Sequence, residues 1–327
     1  VRSLNIPAVR MLRSYGLEKF HSKLQTLGFS SISRDPGHYG LTLILGGAEV
    51  KLWDLCRVYK GMASTLNHME DYEYSYDPAA YAPPSYIFRE DKPDAGASSL
   101  PDLKSTGIMS AASIWQCFET LTDLERPTRE GSWEIFSSSK TIAWKTGTSF
   151  GYRDAWAIGL NPDYLVGVWV GNADGEGRPG LTGVNVAAPL MFDAFGLLHS
   201  TAWFEPPLDE MSDIEICSRS GFRAGPDCNQ TEIQKVPAAG VKMESCPYHR
   251  TIHLDAQEQF RVQSDCYETS RMKNVSWFVL PPVMEWYFKK TDPHYRSLPP
   301  FAPGCEPLDE QPMELIYPRE TRQVFIP

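Results

Sequence analysis

The sharpest chemical signal in the chain is Lys145-Thr146-Gly147-Thr148-Ser149. Those residue types suit an acyl-transfer site. A strand that runs into glycine lets a substrate backbone approach closely. A backbone N–H just after the glycine can point into an oxyanion hole. The Lys145 ammonium supplies positive potential for a carboxylate, and the neighbouring hydroxyls can bind it directly. The plain alternative is a Thr/Ser-rich hairpin with a solvated lysine. A second signal is Ser3-Leu4-Asn5, 142 positions (145 − 3) upstream of Lys145. Its hydroxyl and amide can face one cleft, the serine shuttling a proton and the asparagine holding a substrate amide. A helix cap explains Asn5 equally well.

Two other patterns compete. Gly147-Thr148-Ser149-Phe150-Gly151 fits the Gly-x-Ser-x-Gly nucleophile elbow of α/β-hydrolases, with Ser149 as nucleophile. That elbow must lead into a helix, whereas Tyr152 to Ala157 reads as strand. Cys217, Cys228, Cys246 and His249 could form a Cys₃His zinc site in a non-catalytic binding module, but the paired Cys-x₂₋₄-Cys arms common in such sites are missing. Disulfides are the expected reading in an oxidising compartment, and no metal or cofactor is expected. Connectivity does not follow from sequence; one pairing joins Cys266 to Cys305 and two of Cys217, Cys228 and Cys246. Cys56 and Cys117 read as buried core thiols, and His249 and His253 as surface or structural residues. Trp277, Trp286, Tyr287 and Tyr295 could stack on glycan or fill a small core. Tyr72, Tyr74 and Tyr76 alternate with acids, as a solvated face or a substrate-facing lid.

The elements that must position these residues can be read from periodicity. Asn5 and Pro7 open a helix. Leu17, Phe20, Leu24 and Leu27 trace a second, stopped by Gly28. A third is opened by Gly46-Gly47-Ala48-Glu49, with Val50, Trp53, Val58 and Met62 as its apolar positions. Asp71 to Asp102 is polar and rich in Tyr and Pro, hence loop. Ser110 to Leu121 is helical, with Ile114, Phe118 and Leu121 on one side. The period then changes to two: strands at Thr141–Thr146, Ala155–Gly159 and Tyr164–Gly171, the last pair joined by an Asn161-Pro162-Asp163 turn. Ala187 to Leu198 returns to helix. Helices, an antiparallel sheet and a closing helix imply an α+β domain.

Composition bounds the rest. A net charge of −10 argues against a broad nucleic-acid surface. The longest aliphatic runs fall far short of the ~20 residues that span a bilayer. Five of the seven cysteines follow residue 200, and prolines crowd the end. That shift suggests a boundary near residue 204, with a Cys/Pro-rich extension over 205–311 and a small β domain beginning at 312–327. The chain starts at Val1 without Met and is read as a piece of something longer.

The two motifs together resemble the penicillin-binding proteins and serine β-lactamases, which pair Ser-x-Asn with a distant Lys-Thr-Gly. The wider text is similar as well: Ser3 to Val9, Tyr39 to Val50, Trp144 to Ser149, Asp154-Ala155-Trp156-Ala157 and Val168 to Asn172. So are the later pieces Cys246 to His249, Leu280-Pro281-Pro282 with Met284 to Tyr287, and Pro312 to Glu314 with Tyr317-Pro318. The resemblance covers nearly the whole chain. It implies a bifunctional peptidoglycan synthase anchored at the periplasmic side of a bacterial inner membrane, carrying a glycosyltransferase and a serine D,D-transpeptidase. Stem peptides ending in D-Ala-D-Ala and glycan strands would be its substrates, β-lactams its covalent ligands, and other cell-wall proteins its partners. By motif position Ser3 would move a proton, Asn5 bind an amide and Lys145 supply positive field. Thr146, Thr148 and Ser149 would line the carboxylate site beside Gly147, and the Thr148 N–H would form half the oxyanion hole. The family's Ser-x-x-Lys nucleophile should lie well upstream of Ser3 and is not in this chain. Ser137-Ser138-Ser139-Lys140 matches the spacing but would lead into the Lys-Thr-Gly strand rather than open a helix. The fragment by itself is therefore expected to be inactive, and a non-catalytic cell-wall scaffold is the alternative.

Overall fold

The computed structural model describes residues 3–72, 75–86, 107–123, 141–199 and 202–305. Ser137–Lys140 and Pro312–Tyr317 lie outside the described residues, as do Tyr74 and part of the Tyr- and Pro-rich stretch. The chain forms two compact units. One comprises the described residues to Ser212 with Lys235–Gly240; the other comprises Asp213–Gln234 and the described residues from Val241. The sequence places the boundary near residue 204.

The first unit opens with helices α1 (Asn5–Tyr15) and α2 (Leu17–Thr26), the single turn α3 (Pro36–Tyr39), and α4 (Leu52–Asp71). Asn5 is not a cap: Leu4 takes that position without a side-chain bond, and Asn5 is the first helical residue. Gly28 follows α2 with φ +92°, where the Arg57 guanidinium lies too close for any side chain and donates to Leu27 O at 2.8 Å. The third helix begins at Leu52, not at the glycine pair. Five residues before Val58, Trp53 lies roughly 140° round the helix and faces outward, 48% exposed, while Val58 and Met62 are buried. Asp54 points inward instead, accepting from Ser30 Oγ at 2.8 Å. A buried carboxylate is tolerable where such donors meet it.

Helix α5 (Ala111–Thr122) is capped by Ser110, whose hydroxyl accepts from Ser113 N. Glu210 and Tyr76 take further first-turn amides: Ala112 N donates to the carboxylate at 3.2 Å and Ala111 N to the phenol at 2.8 Å. An acid there also meets the positive end of the helix dipole. Tyr76 is half-buried and donates its own proton to Glu210. Cys117 lies on the exposed side of α5, contrary to the core reading.

Strands β1 (Ala143–Thr148), β2 (Asp154–Leu160) and β3 (Leu165–Gly171) form an antiparallel sheet in that order. Gly147 pairs with Trp156, and Trp156 with Trp169. Asn161 Oδ1 accepts from Asp163 N and Tyr164 N, closing the β2–β3 turn. A π turn (Gly183–Ala187) leads into α6 (Ala188–Gly196). The sheet lies between α4 and α6. A Cβ at Gly167 would strike Cys56 Sγ of α4, and one at Gly159 would strike Met191 of α6. One core joins Val58, Leu66, Ile114 and Phe118; another joins Trp144, Ala157, Met191, Phe192 and Phe195. Fully burying one such aromatic contributes about 1.5–3 kcal/mol. Helices and antiparallel sheet make the architecture α+β.

The remaining strands pair two by two: β4 (Met211–Cys217) with β5 (Thr231–Pro237), and β6 (His249–Leu254) with β7 (Lys273–Phe278). Helix α7 (Pro282–Thr291) follows. The second unit has a small core around Ile252, Leu254 and Trp277, and a Cys266–Cys305 disulfide. Trp286 and Tyr287 are exposed. No described helix is long and apolar enough to cross a membrane.

Candidate active site

β1 is an edge strand among the described strands, and its free edge carries the Lys-Thr-Gly motif. Side chains alternate across a strand, so Lys145 and Gly147 share one face and Thr146 and Thr148 the other. Lys145 Nζ donates to Ser3 Oγ at 2.5 Å and to Thr146 O at 2.7 Å. Burial holds the Lys145 ammonium below its ordinary value of 10.5. Ser3 sits just before α1 with φ +54°, and α1 packs on the 3₁₀ turn Gly40–Leu45. Asn5 is exposed two residues further on. The two motifs thus converge on one ammonium.

Ser149 N donates to Asp154 O at 3.0 Å. In an antiparallel ladder, residues facing the partner alternate with residues facing away. The N–H of Thr148 therefore points to the open edge, where an oxyanion hole would need it. Gly147 is exposed, and a Cβ there would meet only Trp156, at ordinary contact distance. Thr148 Oγ1 accepts from Gly183 N at 3.0 Å, which leaves its own proton for a ligand. The Ser149 hydroxyl is used within the hairpin instead. It accepts from Asp154 N at 2.8 Å and closes the β1–β2 turn. The chain after Ser149 enters β2 rather than a helix, unlike a nucleophile elbow.

Sequence reasoning missed Gly183. A Cβ there would lie 2.5 Å from both Gly147 O and Trp156 O. This glycine lets the π turn press against β1 and β2 and deliver its N–H to Thr148. No local spacing signals such a role. Asp154 also accepts from Trp169 Nε1 at 2.9 Å, tying β2 to β3 beside the hairpin.

No protein-family model matches the chain. Penicillin-binding protein 1C of Escherichia coli is 34% identical over 205 residues, which is 61% of this chain and 22% of that protein. Over that stretch the chain is similar to penicillin-binding proteins. Penicillin-binding protein 4 of Bacillus subtilis is 27% identical over 52% of this chain and 25% of its own length. Penicillin-binding protein 1B of Haemophilus influenzae is 25% identical over 59% of this chain and 22% of its own length. The matched part thus spans about a quarter or less of these penicillin-binding proteins. A crystal structure of penicillin-binding protein 1A from Haemophilus influenzae aligns with a TM-score of 0.49 at 18% identity, covering 75% of this chain and 39% of that one.

A second Ser-x-x-Lys, Ser270-Arg271-Met272-Lys273, carries no signal in the sequence beyond its spacing. Lys273 pairs with Glu258 at 2.8 Å and Ser270 donates to Glu268 at 2.7 Å, so neither side chain addresses the other. In the same unit Phe222, Tyr248, Phe278, Met284, Tyr287 and Phe288 line an open apolar groove of about 500 Å³. Among the described residues, one set of metal-ligating side chains converges: Cys217, Cys228, Cys246 and His249. His249 is 7% exposed, against the surface reading, whereas exposed His253 bonds Asn274.

Proposed function

We propose that the first unit is the later portion of a serine D,D-transpeptidase domain acting on D-Ala-D-Ala stem peptides of peptidoglycan at the periplasmic face of the membrane. The observation that carries this reading is the hydrogen bond from Lys145 to Ser3, which joins the two motifs. In the reaction a serine oxygen attacks the penultimate D-Ala carbonyl and terminal D-Ala departs with a proton. An amine from a second strand then displaces the enzyme from the acyl group. Ser3 Oγ, held by the Lys145 ammonium, passes the proton to the leaving amine. Asn5 binds the substrate amide. Lys145, Thr146 and Thr148 hold the terminal carboxylate, and the Thr148 N–H stabilises the oxyanion. β-Lactams would acylate the same nucleophile.

The Ser-x-x-Lys pair that supplies the nucleophile is assigned outside this chain, so the chain alone forms no acyl-enzyme. Fluorescent penicillin tests both halves of this reading. It should label a longer protein that carries Ser-x-x-Lys together with these residues, and it should leave this chain unlabelled. Labelling of the isolated chain would overturn the missing-nucleophile assignment. A longer protein that folds but takes no label would favour a scaffolding role instead.

A further inference from the structure

The three cysteines outside the disulfide in the second unit surround one histidine nitrogen. His249 Nδ1 lies 3.3 Å from Cys217 Sγ, 3.6 Å from Cys228 Sγ and 3.4 Å from Cys246 Sγ. All four potential ligand atoms lie within 4.8 Å of one another. A ring nitrogen offers either one proton or one lone pair, so it cannot satisfy three sulfurs by hydrogen bonding. A cation at the centre can. With Zn–S near 2.3 Å and Zn–N near 2.0–2.1 Å, a tetrahedral ion sets nitrogen–sulfur edges of about 3.5 Å and sulfur–sulfur edges of about 3.8 Å. The observed nitrogen–sulfur distances cluster around that edge.

Two of the sulfurs also meet hydrogen-bond donors. Ser220 Oγ donates to Cys246 Sγ at 3.2 Å, and Gly225 N donates to Cys228 Sγ at 3.3 Å. Such donors to the ligating sulfurs are the outer shell a metal site uses to orient its ligands. Cys217 is fully buried, and the His249 ring packs on Phe278 with centroids 5.0 Å apart. The disulfide reading fits less well. The structure joins Cys266 to Cys305 yet leaves Cys217, Cys228 and Cys246 as free thiols around the imidazole.

We propose that Cys217, Cys228, Cys246 and His249 bind one Zn²⁺ in a closed tetrahedral site that holds the second unit together. Four protein ligands leave no open coordination position, so the ion is structural rather than catalytic. It ties the end of β4, the segment after Gly225 and the start of β6 into one knot. A unit with so small a core gains folding energy from such a cross-link. Coordination also withholds the thiolates from oxidation. The site is independent of the transpeptidase reading.

The test uses the intact chain, purified under reducing conditions. Elemental analysis should find one zinc per chain. Replacement by Co²⁺ should give the sulfur-to-cobalt charge-transfer band and the intense visible bands of a tetrahedral thiolate site. Cys246→Ser and His249→Ala should lose most of the metal, while Cys266→Ser, which breaks only the disulfide, should keep it. The wild-type cobalt spectrum is decisive even if a variant misfolds. Three outcomes would overturn the proposal: no zinc after reconstitution, a cobalt spectrum without thiolate bands, or a mapped disulfide between two of the three cysteines in protein kept reduced.

Discussion

Lys145 Nζ donates to Ser3 Oγ across 142 positions of sequence. The bond places an ammonium against a hydroxyl at the free edge of β1, beside the outward N–H of Thr148. Under the transpeptidase reading, a proton relay, a positive field and an oxyanion donor would share one small region. In a longer protein that carries Ser-x-x-Lys together with these residues, the proposed function expects Lys145→Ala to slow penicillin acylation by about 10²–10³-fold. Ser3→Ala should slow it by about 10²-fold or more if the hydroxyl relays the proton. Stopped-flow labelling measures both, and near-normal rates in both variants would remove the pair from the mechanism.

The depressed Lys145 pKa gives a pH dependence with a definite sign. The fold disfavours the ammonium, so the folded chain releases this proton below the ordinary value of 10.5. Between those two values the unfolded chain binds more protons, and this group's contribution to stability rises with pH through that window. Activity moves the other way, because the positive field goes with the proton. Acylation should therefore decline on the alkaline side below pH 10.5, and Lys145→Arg should shift the decline upward. An identical alkaline limb in Lys145→Arg would assign it to another group.

Gly183 is required by close approach rather than by backbone conformation. Gly183→Ala pushes a methyl against two carbonyl oxygens, each 2.5 Å from its ideal position. The cost should be about 1–3 kcal/mol, read as a lower thermal midpoint. An unchanged midpoint would mean that the π turn shifts without strain.

Thr148 links that turn to the site. Thr148→Val removes the acceptor for Gly183 N and the proton available to a carboxylate. An amide left without a partner costs about 1–3 kcal/mol if water cannot reach it. Acylation by a carboxylate-bearing penicillin should fall, and Thr148→Ser should restore both stability and rate. If Val and Ser behaved alike, the hydroxyl would have no role.

The disulfide closes a loop with a sequence separation of 39. Replacing both cysteines by serine should destabilise the second unit by about 2–5 kcal/mol. Denaturant unfolding measures this, and the effect should appear in signals from Trp277 and Trp286 rather than in those of the first unit's Trp144 and Trp156.

Much of this protein is local and therefore readable in one dimension. The strand period from Trp144 to Gly171, the Asn161 turn, the Ser110 cap and the Gly28 stop depend on neighbours a few residues apart. The motif residues Ser3 and Lys145 are also recognisable as text. Trp53 and Asn5 depart from the expected placement: Trp53 lies roughly 140° round α4 from Val58, and α1 begins at Asn5 itself, with Leu4 at the cap. What tertiary structure alone decided is every relationship that closes over distance. It brought Lys145 to Ser3, pressed Gly183 onto the Gly147 carbonyl, and drew three cysteines around His249. Spacing cannot encode these, because each is set by how separate elements pack and not by the chain between them.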